Sequence, residues 1–142
     1  MAIKNYTTTI AVSKTVGEIQ AMLASAGASA VMCEYNGDGL PHSIAFRIAT
    51  PNGLISYQLP ARIENVYSCL CKTRDVPKRL KSMEQAGRVG WRIVKDWISA
   101  QLAFIESEMV TLDQVFLPYA QNPKTGQTVY QMMEENRTLL LN

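Results

Sequence analysis

Threonine and apolar residues alternate from Tyr6 to Val12, and a period of two predicts a first strand there. The period then lengthens. Val16, Ile19 and Leu23 share one helical face, Thr15 and Glu18 make a capping-box pair, and Gly27 supplies a stop, so a helix is expected from Val16 to Ala26. Alternation returns over Ser29 to Tyr35, over His42 to Ile48, and in the run holding Ile55, Tyr57 and Leu59. Asn36-Gly37-Asp38-Gly39 and Thr50-Pro51-Asn52-Gly53 separate these runs with residues that suit tight turns. Ile44, Phe46 and Ile48 take one side of their strand and Ser43, Ala45 and Arg47 the other; Ile55, Tyr57 and Leu59 likewise oppose Ser56 and Gln58. The expectation is an α+β fold. Its sheet has four largely antiparallel strands, in the chain order strand-helix-strand-strand-strand, with one apolar face backed by C-terminal helices.

Past Pro60 the pattern is helical. Ile63, Val66, Tyr67 and Leu70 line one face of a helix over about Arg62 to Thr73. Asp75 before Val76 and Pro77 reads as the start of a long helix to about Met109. Trp91, Val94, Ile98, Leu102 and Ile105 form one apolar row on it, and Val89, Ile93, Trp97 and Phe104 an adjacent one. Gly87 and Gly90 interrupt it, either to allow close packing or to mark a break. Thr111 with Gln114 caps a short helix ended by Pro118, residues 121–126 read as a loop, and a last helix is expected from about Gln127 to Arg137. The chain thus reads as one domain over residues 1–142, sheet-rich over 1–60 and helical over 61–142.

Composition adds constraints. With 142 residues, 47% hydrophobic and 18% charged, the chain can bury a core. The absence of a leader-like segment or a long apolar run points to a cytoplasmic protein, in a host cell if phage-encoded, with no membrane contact. Cys33, Cys69 and Cys71 are odd in number and read as buried thiols, not as a disulfide framework. His42, the single histidine, reads as a structural residue at a strand start. No phosphate loop, zinc spacing or nucleophile elbow occurs, and Asp96, Glu106 and Glu108 do not share a helical face on which to hold Mg²⁺. No enzyme, catalytic residue, metal or cofactor is expected.

The charge distribution carries the functional expectation. Residues 1–61 hold three basic and three acidic side chains, residues 62–95 nine and three, and residues 96–142 two and six. Arg74, Lys78, Lys81, Arg88, Arg92 and Lys95 recur at helical spacing and would form one cationic stripe suited to a phosphate backbone. Such a stripe also fits a solvated helix face, or pairing with acidic residues of this chain or of a neighbouring subunit. Arg47, on the polar side of its strand, is a further candidate for a phosphate or base contact. Tyr6, Tyr35, Tyr57 and Tyr67 lie on or near the sheet, but Tyr35 and Tyr57 share the core parity.

The run Gly90-Trp91-Arg92-Ile93-Val94-Lys95-Asp96-Trp97, continued by Ala100-Gln101-Leu102-Ala103 and Val115-Phe116-Leu117-Pro118-Tyr119, resembles small uncharacterised proteins of phages and prophages. The opening Thr8-Thr9-Ile10 to Lys14-Thr15 shares that likeness. The resemblance implies a place beside phage replication or recombination, hence single-stranded DNA binding or annealing without sequence readout. It equally accommodates an anti-defence or regulatory factor docking an acidic protein partner. It transfers no residue roles. A homo-oligomer is expected, with Trp91, Trp97, Phe104 and the Leu139-Leu140-Leu141 tail as its interface.

Overall fold

The computed structural model describes residues 1–136. Helix α1 (Val12–Ser25) precedes a meander of β1 (Ala30–Tyr35), β2 (Pro41–Thr50) and β3 (Gly53–Pro60). Helices α2 (Ile63–Lys72), α3 (Met83–Glu106), α4 (Leu112–Phe116) and α5 (Val129–Glu135) follow, with 3₁₀ turns at Lys78–Leu80 and Leu117–Tyr119.

The sheet has three antiparallel strands in the order β1-β2-β3, not four. The expected first strand does not form, because the backbone of its residues is satisfied elsewhere. Asn5 takes a left-handed φ of 68°, and the Thr8 hydroxyl accepts the Ile10 N–H at 3.2 Å. The Gln85 amide, from α3, donates to the carbonyls of Tyr6 and Thr8 at 2.9 and 3.0 Å. Threonines that bond locally compete with a sheet ladder in this way. Helix α1 therefore starts at Val12, and Thr15 lies buried inside it instead of capping it.

The three strands that do form keep the expected parity. Val31 faces Phe46 across β1–β2, and Phe46 faces Tyr57 across β2–β3. Ile44, Phe46, Ile48, Tyr57 and Leu59 are buried on one face. Val16, Ile19 and Leu23 of α1, Trp91 and Ile98 of α3, and Phe116 of α4 complete this core, so the N-terminal helix covers the sheet as well as the C-terminal ones. The Phe46 ring stacks on Tyr57 at 5.3 Å and meets Phe116 edge-on at 5.3 Å. Tyr35 departs from the parity: a register shift after Glu34 places it opposite Pro41, and it is exposed. Cys71 is also exposed, against the expectation of buried thiols.

The long helix starts later than expected. The Ser82 hydroxyl accepts the Gln85 N–H at 3.1 Å and caps α3 at Met83. The segment from Thr73 to Lys81 instead forms an irregular connection with one 3₁₀ turn. Val76 and Leu80 pin it by packing with Leu70 and Ala86 in a second, smaller core. Helix α3 runs through both Gly87 and Gly90 without a break.

Beyond α4 the chain returns along the free edge of β3. Ala120 bridges Tyr57, and the Gln121 N–H donates to the Ser56 carbonyl at 2.8 Å. A capping box at Thr128 and Gln131 starts α5 at Val129, slightly later than expected. Leu139, Leu140 and Leu141 lie outside the described residues.

Candidate nucleic-acid interface

The helical stripe read from spacing is divided by the fold into two unlike groups. Arg92 and Lys95, on α3, face Glu18 of α1 at 3.0 and 3.4 Å. Arg92 also donates to the Thr15 hydroxyl at 3.4 Å, and its side chain is only 14% exposed. The hydrogen bond from Arg92, helped by Lys95, holds the Glu18 carboxyl below its ordinary range. A guanidinium so engaged would have to leave its carboxylate to meet a phosphate. Arg88 is part-buried, its Nε donating to the Gln85 side-chain oxygen at 2.9 Å.

The other group is exposed. Arg74 and Lys78 stand on the connection between α2 and α3, with Lys81 half-buried at its end. Lys72 and Arg79, which helical spacing did not single out, join them. Burial of Val76 (2% exposed) and Leu80 (9% exposed) fixes the backbone from beneath, so the cations between and around them are directed outward. Asp75 is the one acidic residue between Lys72 and Lys81, and it lies 3.9 Å from the N-terminal ammonium. Among the described residues, none of these five cations has an ion pair within 4.0 Å. The spacing of two buried apolar anchors, four residues apart and flanked by Lys and Arg, is the signal that a search for uninterrupted helix passed over.

The remaining candidates are scattered. Arg47 is exposed on the outer face of β2, opposite Ser56 and away from the connection in the chain. Trp91 is 1% exposed, part of the monomer's own core, and its indole N–H donates to the Pro41 carbonyl at 3.3 Å. Trp97 packs edge-on to Phe116 and Tyr119 at 5.5 and 5.8 Å. Phe104 is 45% exposed. Among the described residues, no three His, Cys, Asp or Glu side chains gather to hold a metal ion, and no helix is long and apolar enough to cross a membrane.

Two of the surface hollows bear on the site. The larger, about 820 Å³, is an open groove between α1 and α3 lined by small and apolar residues such as Ala21, Met22 and Leu102. The smaller, about 380 Å³, is bounded by the start of β2, the end of β3 with the N-cap of α2, the turn after α4, and α5 with its cap, and is lined mostly by polar and aromatic side chains. Ser43, 3% exposed, lines it, and its hydroxyl has no hydrogen-bond partner among the described residues. Leaving such a group unsatisfied costs about 1–3 kcal/mol. No spacing in the sequence pointed to this cleft, because four separate segments build it.

No protein-family model matches the chain, nor does any curated protein or solved structure.

Proposed function

We propose that the protein binds the backbone of single-stranded nucleic acid without reading sequence, through the cationic connection between α2 and α3. The observation that carries this reading is the set of four exposed cations, Lys72, Arg74, Lys78 and Arg79, with half-buried Lys81 beside them, held around a hydrophobically anchored backbone and without an ion-pair partner among the described residues. Phosphate contacts need charge and position more than a particular groove shape. A pinned backbone supplies position at a lower entropic cost than a free lysine-rich tail. The single-stranded form of the ligand comes from the likeness to phage proteins. Homo-oligomerisation enters the reading only through exposed apolar residues such as Phe104 and Met109, since Trp91 is spent in the core.

Fluorescence anisotropy of a labelled strand of about 30 nucleotides across a salt series tests the proposal. Engaging three to five phosphates, each contributing about −0.7 to the logarithmic salt slope, weakens binding roughly 20- to 130-fold between about 50 and 200 mM salt. Duplex of the same length should bind more weakly. No binding at about 0.1 M salt, or a slope near zero, would overturn the proposal and leave the patch to an acidic protein partner.

A further inference from the structure

From the cleft at the start of β2 we infer a second site, which takes one nucleotide unit: a phosphate attached to a planar base. Its volume of about 380 Å³ lies at the small end of ordinary ligand clefts, about 300–1,000 Å³, which suits a single unit and not a length of chain. The lining supplies donors: the Ser43 hydroxyl, the His42 ring, the exposed Arg62 guanidinium and the Gln131 amide. The Gln131 oxygen already accepts the Thr128 N–H at 2.8 Å, which leaves its NH₂ to donate. No aspartate or glutamate lines the cleft. Arg62 is also the N-cap of α2, where Glu64 stands in the first turn and the Ile63 and Asn65 N–H groups already donate to the carbonyls of Ala61 and Arg62, so the cleft's positive charge is the guanidinium itself. Donors and positive charge without a lining carboxylate select an anion.

Two tyrosine rings supply the planar part of the recognition. Tyr119 is held edge-on against Trp97 at 5.8 Å, and Tyr130 is 48% exposed with its hydroxyl donating to Glu134 at 3.1 Å. The Ser43 hydroxyl is the independent sign of a ligand. It is nine-tenths buried and unpartnered among the described residues, and its cross-strand neighbour Pro60 has no N–H to offer it. None of this uses the cationic connection, so the inference stands apart from the function proposed above. The unit itself can be a free mononucleotide or one nucleotide of a bound strand.

The test is a protein-observed NMR titration of the whole chain with deoxythymidine monophosphate, against thymidine and inorganic phosphate as separate probes. The expected result is saturable movement of the Ser43, Arg62 and Gln131 amide signals with a Kd below about 1 mM, and binding of either partial probe at least about tenfold weaker. Arg62→Gln should weaken the mononucleotide about tenfold and Ser43→Ala about fivefold, the latter without loss of thermal stability. The charge reversal Lys78→Glu/Arg79→Glu/Lys81→Glu should leave this Kd within about twofold, so failure of strand binding and failure of the cleft are read separately. Saturating mononucleotide that weakens strand binding would assign the site to a nucleotide of the strand; unchanged strand binding would assign it to a free nucleotide. Absence of saturation at about 10 mM, equal binding of inorganic phosphate, or an unchanged Kd in Ser43→Ala would each overturn the inference.

Discussion

Gly87 and Gly90 lie about one turn apart on α3 but answer to different neighbours. A Cβ on Gly90 would fall 2.8 Å from Ile63 Cδ1 and 3.3 Å from Val66 Cγ2, so the tip of Ile63 and the Val66 methyl would have to give way to any side chain there. A Cβ on Gly87 would meet Val12 at 3.5 Å, an ordinary contact. Gly87→Ala should therefore stabilise the protein by about 0.5–1 kcal/mol through helix propensity, whereas Gly90→Val should cost about 1–3 kcal/mol by overpacking. Urea unfolding of the two variants checks the contrast; equal effects would contradict the packing described. Tyr57 makes a second residue-scale case. It is 1% exposed, and its hydroxyl donates to the Asp113 carboxylate at 2.7 Å. Burial first, and the carboxylate second, push the Tyr57 hydroxyl above its ordinary range, so it stays protonated and donating. Tyr57→Phe should cost about 1.5–3 kcal/mol in the same assay, as expected for a hydrogen bond to a charged group.

At the scale of elements, α1 and α3 are joined by charge as well as by their apolar faces. Glu18 meets Arg92 and Lys95. Burial alone would raise Asp96, but hydrogen bonds from Asn5 and Lys4 outweigh it and hold that carboxyl below its ordinary range. Both folded values are depressed, so both contacts stabilise the fold above the unfolded carboxylate pKa and lose that contribution as pH falls through the folded value. The urea midpoint should accordingly decline between about pH 5 and pH 3. Glu18→Gln and Asp96→Asn should each flatten that decline; a midpoint independent of pH in this range would contradict the pairing. The elements themselves were unevenly legible. Strand parity showed clearly on the apolar side, where Ile44, Phe46, Ile48, Tyr57 and Leu59 alternate into the core, whereas the burial of Ser43 and Ala45 on the other side of β2 did not show in the alternation. The segment Tyr6–Val12 carries the same alternation, but Gln85, nearly eighty residues away in the chain, takes the carbonyls of Tyr6 and Thr8. Asp75-Val76-Pro77 imitates a helix start, while the cap that is used, Ser82 with Gln85 three residues on, sits a little further along.

For the whole molecule, spacing could show that cations cluster between residues 62 and 95 but not which of them the fold neutralises. Glu18 lies far away in the chain, and only the packing of α1 on α3 brings it to Arg92. The cleft beside Ser43 was illegible for a similar reason, since β2, the end of β3 with the N-cap of α2, the turn after α4, and α5 with its cap each contribute only part of it. The structure thus separates two kinds of arginine and lysine: those that hold helices together and those that face outward from the connection between α2 and α3. The central claim is that, of these two kinds, only the second binds the strand backbone, and a comparison of variants in the strand-binding assay tests it most directly. Lys78→Glu/Arg79→Glu/Lys81→Glu should lose at least about 30-fold in strand affinity at about 0.1 M salt and keep its unfolding midpoint. Arg92→Gln should keep its strand affinity within about threefold and lose stability instead. Full affinity in the triple variant, or a large loss in a folded Arg92→Gln, would contradict the account.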